Sequence, residues 1–247
     1  MKLKRYRITI EYDGTGLVGW QRQRTGISVQ GLIEESIYKL SMENVTVYGA
    51  GRTDAGVHAY AQVAHFDLVK EFPPHKIRDA LNHFLQPNLV SIIKAEQVAS
   101  DFHARFDAKQ RSYIYKIVNR SSPLTLDNNK AWHVIKKLNI RDMQEAADFL
   151  IGKHDLSSFR SVYCQSDTSI KSIDEIKILE NCNEVLINIA APSFLHNQVR
   201  IIVGTLVKIG KGEWNVEKMK EIIAARNRTA AGSTAPPYGL YFKNVIY

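Results

Sequence analysis

The sequence predicts an α+β protein built from two successive α/β halves. In the first half, segments with the two-residue period of strands and segments with helical spacing follow the order β-α-β-β-α-β. That order is the split βαβ plan of RRM-like and ferredoxin-like folds, an antiparallel sheet with its helices on one face. The second half roughly repeats this layering, with no repeat in the sequence itself. We predict the halves to be residues 1–105 and 106–247.

The first half is expected to contain four strands and two helices. The predicted strands are residues 5–12, 45–49, 60–68 and 90–98. Ser28 has the side chain of an N-cap for a helix that runs to about Leu40. Pro73-Pro74 begins the second helix, and Pro87 closes it.

The second half is expected to alternate strands and helices less regularly. The predicted strands are residues 111–118, 173–179, 184–191 and 239–246, and the second and third of them form a hairpin. The predicted helices are one capped by Asn139, one over 195–209 and one capped by Asn215 that runs through Ala225. Residues 155–168 are polar and lack periodicity, so we predict a loop over the cleft.

Composition favours a polyanionic partner. Thirty-three basic residues against twenty-five acidic ones give a net charge of +8, which suits RNA or DNA. The two cysteines lack the spacing of a metal site and suit a cytoplasmic protein with reduced thiols. The eight histidines form no cluster typical of a metal site, so no metal is expected. No apolar stretch is long enough for a membrane span.

Residues 50–58 stand out as a candidate functional loop between two predicted strands. Gly51 and Gly56 bracket Arg52 and a single carboxylate, Asp54. Glycine allows sharp turns and close approach of a ligand to the backbone, and a loop between strands can hold a side chain rigidly. The alternative is an ordinary turn in which Asp54 accepts a hydrogen bond from a nearby backbone N–H.

A second glycine-rich loop, residues 13–26, places Trp20 among arginines and amides. An exposed aromatic ring beside cations suits nucleic acid, because bases stack on rings and phosphates pair with cations. The alternative is that Trp20 packs back on the core.

Four stretches of this sequence resemble the motifs of the tRNA pseudouridine synthase A family, in the family's order and over nearly the whole chain. They are Glu11-Tyr12-Asp13-Gly14 with Gly19-Trp20-Gln21-Arg22-Gln23, Gly51-Arg52-Thr53-Asp54-Ala55-Gly56-Val57-His58, Asp101-Phe102-His103-Ala104-Arg105-Phe106 with Arg111-Ser112-Tyr113, and residues 196–206 with Val199-Arg200 and Ile202-Val203-Gly204. The resemblance implies two halves with adjoining sheets and a basic cleft between them. It also implies a homodimer that modifies positions 38, 39 and 40 in the anticodon arm of tRNA.

The implied reaction breaks the N1–C1′ bond of uridine, turns the uracil and rejoins it through C5, so no cofactor is expected. Asp54 matches the family's essential aspartate, called the nucleophile. Arg200 is the candidate cation that keeps Asp54 ionised, since arginine stays charged when buried. Tyr113 is the candidate ring against the flipped base, and Arg52 could fill the gap in the RNA or hold a phosphate. Pattern alone would instead make Tyr113 a core residue and Arg200 a surface one.

Further contacts with RNA are expected from basic side chains along the cleft, most of which would position RNA without reading its sequence. They are Arg22, Arg24, His58, Arg105, Arg111 and Arg160.

Two other functions compete with the isomerase. A non-catalytic RNA-binding module shares the charge, the aromatic residues and the strand order, but a carboxylate facing phosphates would weaken its affinity. A glycoside hydrolase needs two carboxylates that flank one bond, and Glu11 or Asp13 could accompany Asp54.

Overall fold

The computed structural model describes residues 3–247 and divides into two compact units. The first unit extends to Lys109 and also includes Tyr241–Tyr247, whereas the second is Gln110–Leu240. The predicted boundary at residue 105 lies near the first division. The sequence did not predict that the C-terminal residues belong to the first unit, because periodicity identifies a strand but not its partner.

The first unit contains the predicted elements, with one strand much shortened. They are β1 (Lys4–Tyr12), α1 (Val29–Ser41), β2 (Tyr48–Gly49), β3 (His58–Leu68), α2 (Pro74–Leu85) and β4 (Val90–Val98). Ser28 caps α1, since its hydroxyl accepts from the Gly31 N–H at 3.2 Å. The strand predicted over 45–49 is limited to its last two residues.

The second unit has more short strands than predicted. Its elements are β5 (Gln110–Asn119), β6 (Trp132–Val134), α3 (Ile140–Asp148), β7 (Gly152–Asp155), β8 (Ile170–Ile173), β9 (Glu175–Asn181), β10 (Glu184–Ala191), α4 (Gln198–Gly210) and α5 (Lys218–Ala225). The last strand of the chain, β11 (Leu240–Ile246), lies mostly in the first unit. The helix predicted from residue 195 begins only at Gln198, because Asn197 has left-handed backbone with φ 62°. Arg200 therefore lies in the first turn of α4.

In the first unit, β1 lies between β3 and β4 and pairs antiparallel with both. The other edge of β3 pairs antiparallel with β2, and parallel with β11 through Tyr241 and Phe242. Tyr6, Ile8 and Ile10 alternate along β1 and are fully buried, as the two-residue period predicts. This sheet fixes both ends of the loop that contains Asp54.

In the second unit, β10 lies between β5 and β9 and pairs antiparallel with both, so the predicted hairpin is confirmed. β6 adds to β5 in parallel, while β7 and β8 form a separate two-stranded sheet. Asn139 caps α3 through the Asp142 N–H at 3.3 Å, as predicted. Within residues 3–247, no helix combines the length and the apolar character needed to cross a bilayer.

A buried histidine is expected to make the free energy of unfolding depend on pH. Burial, and secondarily the charge of Arg5, lowers the pKa of His65 from 6.5 to about 4. Its Nδ1 accepts a hydrogen bond from the Ala104 N–H at 3.1 Å, which requires an unprotonated nitrogen. Between these two pKa values the unfolded chain binds more protons than the native one. We expect the free energy of unfolding to fall by up to about 3 kcal/mol as the pH falls through this window.

Denaturant titrations between pH 7 and pH 4 measure this slope. His65→Asn keeps an acceptor for the Ala104 N–H but cannot titrate, so its slope should be shallower than that of the unaltered protein. Equal slopes would contradict the assignment to His65.

Candidate active site

Asp54 lies on an irregular loop, residues 50–57, that connects β2 to β3. A turn closes the loop, in which the Val57 N–H donates to the Asp54 carbonyl at 3.2 Å. Asp54 is half-buried, whereas Arg52 and Ala55 are exposed. The loop thus presents a carboxylate at the surface on a backbone that neighbouring residues can hold.

The segment that follows β1 holds this loop by direct backbone contact. The Trp20 N–H donates to the Thr53 carbonyl at 3.0 Å, and the Gly56 N–H donates to the Leu17 carbonyl at 3.3 Å. A Cβ on Gly14 would lie 2.2 Å from the carbonyl oxygen of Val57, and one on Gly19 would lie 2.5 Å from that of Thr53. Only glycine permits such close approach.

Trp20 is buried and packs on the core rather than facing RNA. A Cβ on Gly49 would lie 2.6 Å from the indole ring, so the ring covers the end of β2 directly. The alternative in which Trp20 packs back on the core is therefore correct.

Two side chains anchor the residues just before Asp54. The hydroxyl of Tyr12 is hydrogen-bonded to Thr53 Oγ1 at 2.8 Å, and Gln62 Nε2 donates to the Gly51 carbonyl at 3.0 Å. Burial raises the pKa of Tyr12, so its hydroxyl stays protonated at neutral pH. Sequence analysis did not identify Tyr12 as part of the site, although it lies inside the first family motif.

Tyr12→Phe should loosen the loop without opening a cavity. The change leaves Thr53 Oγ1 without this bond in a buried place, which costs about 1–3 kcal/mol of stability. We expect a lower kcat with little change in KM for tRNA, because the substitution moves the loop rather than a surface that binds RNA. Steady-state kinetics with thermal unfolding check this, and unchanged values of both kcat and Tm would contradict it.

His58 directly follows the Asp54 loop and contacts the segment that holds it. It is 2% exposed, its Nδ1 accepts from the Gly14 N–H at 3.0 Å, and the same nitrogen lies 3.0 Å from Asp13 Oδ1. Its ring stacks on that of Tyr241 with centroids 4.6 Å apart. The residue predicted to contact RNA thus has almost no surface for RNA and instead links the two loops to the C-terminal strand.

The other basic residues predicted in the first unit differ in surroundings. Arg22 Nε lies 3.1 Å from the buried carboxylate of Glu34, while Arg24 is exposed. Arg105 is exposed with its guanidinium 5.7 Å from the centroid of the Phe106 ring. Arg24 and Arg105 therefore have surface available for a phosphate, and Arg22 is partly engaged by α1.

Tyr113 and Arg200 belong to the second unit. Tyr113 lies in β5 opposite Ile189, and its ring meets that of Phe194 edge-on at 5.1 Å. Arg200 donates from Nε to the Ala235 carbonyl at 2.7 Å and from Nη1 to Asn197 Oδ1 at 2.9 Å. These two bonds orient the guanidinium. Asp54 lies in the first unit, so its approach to Tyr113 and Arg200 remains a prediction.

Two further predicted RNA contacts are bonded within the second unit. Arg111 is buried and donates to the Pro192 carbonyl at 2.6 Å. Arg160 donates to the carbonyls of Cys164 and Ser166 at 3.0 and 2.6 Å. Arg160 thus organises the loop that follows it, which agrees with the loop predicted there.

The chain matches a known family over most of its length. The model of a family described as tRNA pseudouridine synthase matches residues 8–107 and 146–247. This chain belongs to that family. The first matched range contains the Asp54 loop with its glycine contacts, and the second contains Arg200.

Individual relatives of this tRNA pseudouridine synthase family agree over nearly full length. The tRNA pseudouridine synthase A of Ehrlichia chaffeensis is 52% identical over 244 residues, which cover 98% of this chain and 100% of the relative. That of Anaplasma marginale is 52% identical over 246 residues with the same coverage. The crystal structure of a Cbf5-Nop10-Gar1 complex aligns with 82% of this chain and 44% of that chain at 10% identity. The TM-score of this alignment is 0.35.

Membership in the tRNA pseudouridine synthase family makes this protein an enzyme, an isomerase of uridine in tRNA. The non-catalytic binding module and the glycoside hydrolase are thereby set aside. Within residues 3–247, no group of three or more His, Cys, Asp and Glu side chains is arranged to hold a metal ion.

Proposed function

We propose that this enzyme forms pseudouridine at positions 38, 39 and 40 of the tRNA anticodon arm, with Asp54 as the catalytic nucleophile. The observation that carries the proposal is the anchoring of the Asp54 loop. Backbone bonds from Trp20 and Gly56 and the side-chain bond from Tyr12 hold the residues around a half-buried carboxylate. Such rigidity suits a group that must meet one atom of a substrate.

The reaction requires a carboxylate and a uracil ring that the protein holds in place. The N1–C1′ bond breaks, C5 of the turned uracil bonds to C1′, and the proton lost from C5 is balanced by one gained at N1. A carboxylate can serve by attack on C1′, by attack on C6 or by removal of a sugar proton. A fixed loop fits each of these three routes, and all of them require an ionised Asp54.

Arg200 is proposed as the cation that keeps Asp54 ionised. Its guanidinium is oriented by the Ala235 carbonyl and the Asn197 amide oxygen, which are neutral acceptors. A nearby guanidinium favours the charged form of a carboxylate. Tyr113 is proposed to support the flipped base with its ring, and Arg52, exposed two residues before Asp54, to contact the RNA backbone or the gap left by the base.

The assembly around this chemistry is proposed from the family resemblance. We propose a cytoplasmic homodimer with a basic cleft, in which Arg24 and Arg105 are exposed cations suited to phosphates. The order β4, β1, β3, β2 in the first unit supports a split βαβ half. Sedimentation velocity measures the dimer, and a single monomeric species at micromolar concentration would contradict it.

Mapping of the product tests the proposed function directly. The purified protein is incubated with an unmodified tRNA transcript that has uridines at 38–40. Because pseudouridine has the same mass as uridine, it is located by primer extension after derivatisation with a carbodiimide that stays attached only to pseudouridine. We expect modification within the anticodon arm only. A transcript with cytidines at these positions is the control and should remain unmodified. Pseudouridine confined to another arm would contradict the proposed positions.

A further inference from the structure

A group of aromatic side chains lies around Tyr48 of β2, outside the Asp54 loop. Tyr48 of β2 stacks on His65 of β3 with ring centroids 5.2 Å apart and planes 19° apart. His103 lies 4.7 Å from His65, and Phe106 lies 4.3 Å from His103. We call these four residues the aromatic cluster. Their rings form a continuous series in the first unit.

The backbone of the aromatic cluster is held firmly. The Ala104 N–H donates to Nδ1 of His65, and the Arg105 N–H donates to Nδ1 of His103, both at 3.1 Å. Arg5 donates to the Phe102 carbonyl at 2.8 Å, while two further bonds of 2.7 Å tie it to Asp67. Residues 102–106 are thus fixed to β1 and β3, so the rings need little reordering to receive a ligand.

The two ends of the aromatic cluster remain largely open to solvent. Phe106 is 74% exposed and Tyr48 is 50% exposed. Exposed aromatic rings on a fixed backbone bury little of their own surface, so they do not act as core. Bases of single-stranded nucleic acid stack on such rings regardless of sequence.

Charge next to the rings distinguishes among possible ligands. The guanidinium of Arg105 lies over the ring of Phe106, 5.7 Å from its centroid, which places a cation against an exposed aromatic side chain. A nucleotide offers both complementary groups, a flat base for the ring and a phosphate for the cation. An acidic protein segment offers the charge but not the flat base. The net charge of +8 also favours a polyanion.

We propose that the aromatic cluster is a stacking platform for an unstacked base of the tRNA substrate, with an adjoining phosphate at Arg105. This inference rests on tRNA as the substrate but not on the catalytic role of Asp54. The platform contributes to tRNA binding and leaves the chemical step unchanged.

The binding test distinguishes stacking on an aromatic ring from contact with any apolar side chain of similar size. Full-length Phe106→Leu keeps an apolar side chain but lacks the ring, whereas Phe106→Tyr keeps the ring. We expect Phe106→Leu to raise the Kd for unmodified tRNA about tenfold, and Phe106→Tyr to bind within about twofold of the unaltered protein. Fluorescence anisotropy with a labelled transcript measures both constants. Arg105→Gln should weaken binding and reduce its dependence on salt.

Tyr38→Ala is the matched control, because Tyr38 lies on α1 of the same unit and is 39% exposed. Its Kd should not change. At saturating tRNA, Phe106→Leu should keep the kcat of the unaltered enzyme, which separates this result from loss of Asp54 function. Equal affinities for Phe106→Leu and the unaltered protein would overturn the proposal. A changed sedimentation coefficient of Phe106→Leu with unchanged tRNA affinity would also overturn the proposal, since the rings would then contact a second copy of the chain.

Discussion

Asp54→Asn is expected to lose pseudouridine formation by a factor on the order of 10⁴ while it retains tRNA binding. Asparagine has nearly the shape of aspartate, but it supplies neither a negative charge nor a basic oxygen. Because the loop is held by backbone bonds from Trp20 and Gly56 and by Tyr12, the substitution should leave its path unchanged. Release of tritium from tRNA labelled at C5 of uridine measures turnover.

Two comparisons make the Asp54 result specific. The Kd for tRNA should stay within about twofold of the unaltered value, since this residue acts on the reaction rather than on affinity. Glu11→Gln removes an exposed carboxylate from β1 of the same unit and should keep normal turnover. Turnover by Asp54→Asn close to that of the unaltered enzyme would reject the catalytic assignment.

Gly19→Ala is expected to lower both stability and activity, because the new Cβ would collide with the backbone of the Asp54 loop. The new Cβ would lie 2.5 Å from the Thr53 carbonyl oxygen and 2.9 Å from the carbonyl carbon of Asp54 itself. Its backbone also has φ +101°, which an L side chain rarely adopts. Strain and overpacking together should cost about 2–5 kcal/mol of stability. A shift of the carboxylate by about 1 Å would lower kcat about 100-fold.

Gly16→Ala provides a control in the same segment. Gly16 also has positive φ, +77°, but a Cβ there would meet no atom within 4 Å. It should therefore show only the backbone cost of about 1–2 kcal/mol and keep its kcat. Urea denaturation and steady-state kinetics of the two variants separate strain from collision. Equal losses of kcat in the two variants would show that Gly19 does not act through its contact with the Asp54 loop.

Local signals in the sequence predicted local structure well. Ser28 and Asn139 cap helices as predicted, since an N-cap depends only on the backbone three residues away. The alternation in β1 and the hairpin of β9 and β10 likewise depend on near neighbours. The helix expected from residue 195 starts late because Asn197 adopts left-handed backbone, which a run of apolar residues does not reveal.

Side-chain surroundings were harder to predict, because residue type alone does not show what covers a residue. His58 and Arg111 were expected at an RNA surface but are buried, where they bond to Gly14 and Pro192. Tyr12 was overlooked because its partner, Thr53, is forty-one positions away. Such contacts arise from strand pairing, which brings distant residues together.

The sequence by itself determined the family of this protein and the place of its single loop carboxylate, because motifs and periodicity are written in neighbouring residues. Only the tertiary structure decided how Asp54 is held. Gly14 and Gly19 lie against the loop backbone, and Tyr241 of the C-terminal strand stacks beneath His58. These contacts join segments far apart in the chain, and packing between such segments follows from the whole fold rather than from any one stretch.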